Sequence, residues 1–294
     1  MSEKIIIISG ATACGKSQLA LDFAELRSAA IINADSLQIY QGLPILSAQP
    51  SKSEMAKNAH YLYSHLKAGE NCSVGIWLGL VKDLVKKVLS ENKIPLIVGG
   101  SGMYISKLID GISKMPEVSL ENHQKAQELY EEIGHQNFQE KFGEGKLIDK
   151  QRLLRACEIM LESGKPISFW QNQVPEKIFP DAEFIHVNLD INREKLYQNC
   201  DLRFNKMLKN GALEEVQNFL KLHPQNNWQI AKTLGFAEIS LFLENKISHE
   251  EMQKIATQKT RNYAKRQLTF FRNQFAKKLS FSEPNQALEF LKNL

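Results

Sequence analysis

Cysteine is scarce and scattered: Cys14, Cys72, Cys157 and Cys200 form no CxxC pair. That spacing suits neither a disulfide framework nor a zinc site, and it points to a reducing compartment, the cytoplasm. The seven histidines contain no HxxxH or HExxH pair, so the sequence carries no signature of a His-ligated metal. Apolar runs are only a few residues long, as in Ile5 to Ile8. A membrane span needs about 20 apolar residues and a secretory signal roughly 7 or more, so neither membrane association nor export is expected. A large excess of one charge is also missing. Lys and Arg number 37 against 33 Asp and Glu, a net charge of +4 that by itself does not require a nucleic acid.

What is present is the composition of a packed globular protein: 294 residues, 43% hydrophobic and 24% charged. The charge is unevenly placed. Between Lys254 and Lys278 lie eight basic residues and no acidic one, so this one segment holds the whole positive excess. The first hundred residues repeat a β-branched apolar run, a small-residue turn and an amphipathic helical pattern, the mark of β-α units in a parallel sheet. Strands are expected at Lys4 to Ser9, Ala29 to Ala34 and Ile94 to Val98, with a fourth at Phe184 to Leu189. Each is apolar without alternation, as when helices cover both faces.

Between residues 114 and 180 the pattern is helical (Ser119 to Ile133 and Lys150 to Leu161), punctuated by prolines and without a convincing strand. This stretch is expected to be a helical insertion domain in a core built from 1–113 and 181–294. After Phe184 helices are expected at Arg193 to Lys209, Ala212 to Leu222, Gln229 to Leu243 and Glu250 to Phe275.

Residues 10–17 read GATACGKS, a full match to GxxxxGKS, between the Ile5 to Ile8 strand and a helical pattern. That is the context a phosphate-binding loop requires. Gly10 and Gly15 allow the tight turn, and the backbone of Ala11, Thr12, Ala13 and Cys14 lies between them. Amides and a helix amino terminus then face the ligand, Lys16 supplies a mobile cation, and the Ser17 hydroxyl suits Mg²⁺. The fold class that follows is α/β, a P-loop NTPase-like parallel sheet with a helical insertion and a helical C-terminal part. The loop alone does not name the reaction.

In an open parallel sheet the ligands gather at the carboxyl ends of the strands. Two further loops belong there: Asp35-Ser36-Leu37-Gln38 after the second strand, and Gly99-Gly100-Ser101-Gly102 after the third. From position alone Asp35 is a general base, a water-mediated Mg²⁺ ligand or the cap of a following turn. Ser101 is a hydroxyl donor for a leaving phosphate or the entry of a helix. Arg203 lies three residues from Cys200 and four from Met207, beside an apolar stripe, and so needs an anion, whether a ligand or a structural salt bridge.

The chain resembles the tRNA dimethylallyltransferase family, also called tRNA isopentenyltransferases. The similarity is carried by GATACGKS, ADSLQIY (34–40), PLIVGGSGMYI (95–105), QRLLRACEI (151–159), SGKPIS (163–168), RFNKMLKNG (203–211), LGFAEI (234–239) and TRNYAKRQLTFFR (260–272). A generic P-loop kinase shares only the first. The resemblance implies transfer of a dimethylallyl group from its pyrophosphate to the N6 amine of the adenosine 3′ of the anticodon, with Mg²⁺. It implies that the phosphate loop holds the prenyl pyrophosphate and that Asp35 is the general base. Ser101 and Arg203 would contact the substrates at the reacting centre. Asp35, Ser36, Leu37, Gln38, Ser101, His123, Gln151, Arg152, Leu153, Leu154 and Arg155 would touch the tRNA.

On the helix carrying the last five, Leu153, Leu154, Cys157 and Leu161 are expected on one face and Gln151, Arg152 and Arg155 on another. Tyr40, Trp77 and Tyr104 either line a prenyl pocket or belong to the core, with Trp77 expected in the core. Tyr263, Phe270, Phe271 and Phe275 are expected to pack the basic helix against the core. Ser101 replaces the family's usual threonine and keeps the hydroxyl. Gln49 stands where lysine is usual, and Asn199 replaces a frequent arginine. A flipped adenine meeting a prenyl donor calls for a channel open at both ends. The protein is expected to be a monomer. Its alternatives are a small-molecule kinase using ATP and a non-catalytic P-loop RNA-binding protein.

Overall fold

Unbroken β-branched runs are stable in a parallel sheet only when both faces are covered, and four such runs form the centre of this protein. A computed structural model describes residues 3–146, 148–224 and 228–294. The chain begins with β1 (Lys4–Gly10), α1 (Lys16–Leu26), β2 (Ala29–Asn33), α2 (Lys52–Lys57), β3 (His60–Tyr61), α3 (Val74–Ser90), β4 (Ile94–Gly99) and α4 (Gly102–Asp110). Three helices follow, α5 (Leu120–Phe142), α6 (Lys150–Ser163) and α7 (Ile167–Gln171). The rest is β5 (Glu183–Leu189), α8 (Arg193–Lys209), α9 (Ala212–Leu222), a 3₁₀ turn (Gln229–Lys232), α10 (Phe236–Leu243), α11 (His249–Gln274), β6 (Leu279–Phe281) and α12 (Pro284–Lys292).

All six strands are parallel, in the order β3-β2-β4-β1-β5-β6. The chain moves outward from β1 to β2 on one side and to β5 on the other, so β1 lies at the switch in strand order, where a crevice opens at the carboxyl edge. Ile5, Ile7 and Ile8 of β1 are wholly buried. Gly99 ends β4 against the second strand's exit. A Cβ there would lie 2.1 Å from the Ala34 carbonyl oxygen, so only glycine lets the two loops meet.

The chain divides into two compact units, Met1–Ile109 with Phe179–Leu294, and Asp110–Ile178. The smaller one begins where α4 ends, four residues before the expected position. Its core is built on Ala126, Phe138, Phe142, Leu153, Ala156 and Cys157. Its first helix bends at Gly134 (φ 73, ψ 169), the end of the expected helix, and then resumes to Phe142.

Three expectations are corrected. The stretch from Gln229 to Leu243 is not one helix: Gly235 is left-handed (φ 91), and a Cβ on it would lie 2.7 Å from the Phe204 ring. Leu161 is 41% exposed, while Ala156 and Ile159 fill the inner face of α6. The C-terminal part is not wholly helical, because Leu279–Phe281 pairs with β5 and closes that edge of the sheet.

Beneath the phosphate loop, Ser9 Oγ lies 2.7 Å from His186 Nε2 and donates to Asn188 Oδ1 at 3.0 Å. Burial, with the nearby Lys278 charge, pushes the His186 pKa down to about 4. Between that value and the ordinary one near 6.5 the unfolded chain binds a proton that the folded chain refuses. Stability is therefore full above about pH 6.5 and declines as pH falls toward 4, by up to ~3 kcal/mol. Urea unfolding at pH 7 and pH 4.5 should show that decline, and His186→Gln should reduce its size.

Candidate functional site

The turn after β1 is a cradle of unpaired donors. Gly15 is left-handed (φ 96) and caps α1, and Ala13 also has positive φ (62). A Cβ on Gly10 would strike Cys14 Sγ at 2.6 Å and the Leu189 carbonyl at 2.9 Å. The amides of Ala13, Gly15, Lys16 and Ser17 have no partner among the described residues, as expected for a helix start that binds an anion. Lys16 Nζ rests on the Ala11 carbonyl at 3.2 Å. Cys14 and Ala11 are buried and serve as backbone.

Other elements brace the cradle. Asn199 of α8 donates to the Ala13 carbonyl (3.1 Å), so the residue replacing a frequent arginine holds the loop itself. Gln267 of α11, which is buried, accepts from the Thr12 amide (2.8 Å) and donates to the Gly100 carbonyl (2.9 Å), joining two loops across the crevice. The sequence pattern did not single it out. Its only trace there was a polar residue on the buried face of a long helix.

Asp35 is seated by the buried Asn33, whose Oδ1 accepts from the Asp35 amide (2.9 Å) and whose Nδ2 donates to the Asp35 and Leu62 carbonyls. Asp35 Oδ1 accepts from Leu37 N (3.0 Å) and Gln38 N (3.4 Å). It therefore caps the turn, and its position also borders a cavity. Gln38 spends its amide group on the Ser47 and Ala48 carbonyls. Ser101 Oγ accepts from Ser36 N at 2.9 Å, which leaves the hydroxyl proton for another acceptor.

Three neighbouring hollows lie along this edge. One, about 260 Å³, is lined by the polar Thr12, Asp35, Arg203, Tyr263 and Arg266 and by the apolar Leu37, Leu46, Phe204, Met207 and Leu234. Arg203 is shared with a cleft over Ala13, Lys16 and Ser17. Tyr263 and Arg266 are shared with a hollow at Ser36, Ser101, Met103 and Phe270. The three hollows therefore adjoin one another along the edge, with Arg203 between the cradle and Asp35 and with Tyr263 and Arg266 between Asp35 and Ser101.

Arg203 donates to Thr12 Oγ1 at 2.9 Å and has no ion pair among the described residues. Burial holds its guanidinium below the usual arginine pKa, while the Asp35 charge pulls the other way. A half-buried guanidinium without a carboxylate partner is a place for a ligand anion. Burial, reinforced by Asp35, pushes the Tyr263 phenol well above its ordinary pKa, so it remains a donor. The basic helix is partly neutralised: Lys259 pairs with Glu238, Arg261 with Asp201 and Arg272 with Asp190. Lys254, Lys265, Arg266 and Lys277 are exposed without an ion pair among the described residues. Phe271 and Phe275 are buried as expected, whereas Tyr263 and Phe270 are half-buried and, with Phe271, line the hollow at Ser101.

Trp77 is wholly buried, donates to the Asn33 carbonyl and stacks on Tyr104. Tyr40 is buried and accepts from Cys72 N. In the smaller unit Gln151 and Arg152 are exposed, and Arg155 and His123 both meet the buried Glu158 (3.3 and 2.7 Å). Leu153 is wholly buried and Leu154 is partly buried against the same core, so Leu153 faces inward while Leu154 keeps part of its side chain at the surface.

Among the described residues no three His, Cys, Asp or Glu side chains gather to hold a metal. The Ser17 hydroxyl beside the cradle suits a Mg²⁺ that keeps most of its waters and takes its other ligands from a bound phosphate.

A family model described as IPP transferase matches residues 38–274. The chain is 37% identical to the tRNA dimethylallyltransferase of Wolbachia pipientis subsp. Culex pipiens, over 99% of each chain. It is 38% identical to that of Pelagibacter ubique, over 92% of this chain and 88% of the other. The crystal structure of a tRNA delta(2)-isopentenylpyrophosphate transferase from Staphylococcus epidermidis superposes with a TM-score of 0.70 at 26% identity, covering 99% of this chain and 98% of that one.

Gln267→Ala would leave the Thr12 amide and the Gly100 carbonyl unpaired, at roughly 1–3 kcal/mol for each buried group. Urea unfolding should register that loss, and amide exchange at Thr12 should quicken.

Proposed function

The chain belongs to the IPP transferase family and is a tRNA prenyltransferase, and from that premise we propose that it moves a dimethylallyl group from dimethylallyl pyrophosphate to the N6 amine of the adenosine 3′ of the anticodon. The observation that carries this reading is the cavity lined by Asp35, Thr12 and Arg203, with Arg203 also lining the cleft over the phosphate cradle. A carboxylate beside an anion-binding cradle suits the joining of a weak nucleophile to a leaving pyrophosphate.

In the proposed mechanism the pyrophosphate takes the free amides of Ala13, Gly15, Lys16 and Ser17 together with the Lys16 and Arg203 side chains. Negative charge grows on its oxygens as the allylic carbon–oxygen bond breaks, and fixed donors there lower the barrier. The Ser17 hydroxyl would hold a Mg²⁺, which when bound would supply further charge neutralisation. The exocyclic amine of adenine has its lone pair delocalised into the ring. Asp35 accepts its proton as the new carbon–nitrogen bond forms, help worth about a hundredfold to ten-thousandfold. The free proton of Ser101 donates to substrate, and the Tyr263 hydroxyl and Arg266 line the path of the flipped base. Gln151, Arg152, Arg155 and His123 hold the RNA through exposed polar groups. Lys265 and Arg266 hold phosphates, which makes binding weaken as salt rises. The setting is the cytoplasm.

Labelled dimethylallyl pyrophosphate, unmodified tRNA and Mg²⁺ should give labelled tRNA, with the label on the adenosine next to the anticodon after nuclease digestion. Asp35→Ala should lower kcat by about a hundredfold or more. Equal labelling by both proteins would remove Asp35 from the chemistry, and ATP turnover without prenyl transfer would favour the kinase alternative. Lys16→Ala should raise KM for the prenyl donor.

A further inference from the structure

We infer that Glu215 is a positioning residue of the transfer reaction, holding from α9 the turn at Leu43–Ser47 that walls the cavity and, through Gln38, seating Asp35. The inference rests on the function proposed above.

The turn is one helical turn, closed by Ser47 N to the Leu43 carbonyl (2.9 Å) and ended at Ala48, whose φ is positive (53). A helix start leaves its first amides without carbonyl partners, and a Ser, Asp or Asn in the cap position usually accepts them. Leu43 has no acceptor, and Pro44 has no amide to satisfy. The two remaining amides, Ile45 and Leu46, are instead met from 170 and 169 residues away, by Glu215 Oε1 at 2.7 Å and Oε2 at 2.8 Å. The carboxylate is half-buried, and burial raises its pKa while these two bonds lower it.

A second grip lies one helical turn further along α9. Phe219 presses on Gly42, where a Cβ would lie 2.8 Å from its ring, and Gly42 is left-handed (φ 112). Glu215 and Phe219 therefore hold the turn at two points. The held turn presents Leu46 and Ser47 to the same cavity as Asp35 and Arg203. From there the bonds run inward: the Ser47 carbonyl accepts from Gln38 Nε2 (2.9 Å), and Gln38 N donates to Asp35 Oδ1 (3.4 Å). Glu215 touches neither the cradle nor Asp35, so its influence passes through this chain of bonds.

The test is a kinetic cycle with an independent structural readout. Glu215→Ala should lower kcat by ~10–100-fold, the scale expected when a reacting group is misplaced, while KM for dimethylallyl pyrophosphate stays within about threefold. Glu215→Gln keeps one acceptor and should recover part of kcat. With Asp35 already replaced by Ala, Glu215→Ala should cost little more, because it acts through that carboxylate. Amide exchange at Ile45 and Leu46 should quicken in Glu215→Ala and lie between in Glu215→Gln. An Ala variant with kcat within about twofold of wild type, or losses that multiply in the double variant, would overturn the inference. Absence of prenyl transfer by the wild type would instead defeat the proposed function. The exchange data then still judge the clamp, and unchanged protection at Ile45 and Leu46 in the Ala variant would end it. Should Glu215→Ala fail to fold, Glu215→Gln carries both measurements.

Discussion

The bond from the Thr12 amide to Gln267, with the bond from Gln267 to the Gly100 carbonyl, is the tie that joins the loops at the carboxyl edge of the sheet. Loops at the carboxyl ends of parallel strands carry backbone groups that the sheet cannot satisfy. Here those groups divide into two sets. Some are paired by side chains from distant helices: Gln267 of α11, Asn199 of α8 and Glu215 of α9. The others, in the phosphate cradle, have no partner among the described residues and are left open to an anion. Bracing one set is what lets the other wait unpaired without collapse.

The same division explains the placing of charge. Of the basic helix's cations, Lys259, Arg261 and Arg272 pair with carboxylates and hold the fold. Arg203 has a hydroxyl for a neighbour and no ion pair among the described residues, and it lies where two hollows meet. A cation half-removed from water and left without a counter-ion attracts an anion strongly, because the cost of its desolvation has already been met by folding. Asp35 answers to the same logic with opposite sign. Its first oxygen is occupied by the turn it caps, so capping and lining the cavity are one arrangement rather than rival fates.

Much of this edge was legible in residues 10–17, because a phosphate loop is local: its glycines, lysine and hydroxyl follow one another along the chain. Asp35 and Ser101 were legible as loop residues at strand ends, and the helix over Arg193–Lys209 agreed to the residue. Asn33, Gln267 and Glu215 were not, since a polar residue inside a strand or helix pattern says nothing of its partner 29 to 255 residues away. The helix carrying Leu153 and Leu154 illustrates the reverse. Within that block the resemblance did not separate Leu153, wholly buried in the core of the smaller unit, from Gln151 and Arg152, which are exposed.

The four central strands, the cradle and the excess of positive charge near residues 254–278 follow from the sequence alone, because period, glycine placement and composition are properties of neighbours along the chain. Which cations remain unpaired, which amides are spoken for and which carboxylate faces the cavity are properties of neighbours in space. Those were decided only when the sheet brought the ends of β1, β2 and β4 together and α8, α9 and α11 closed over them.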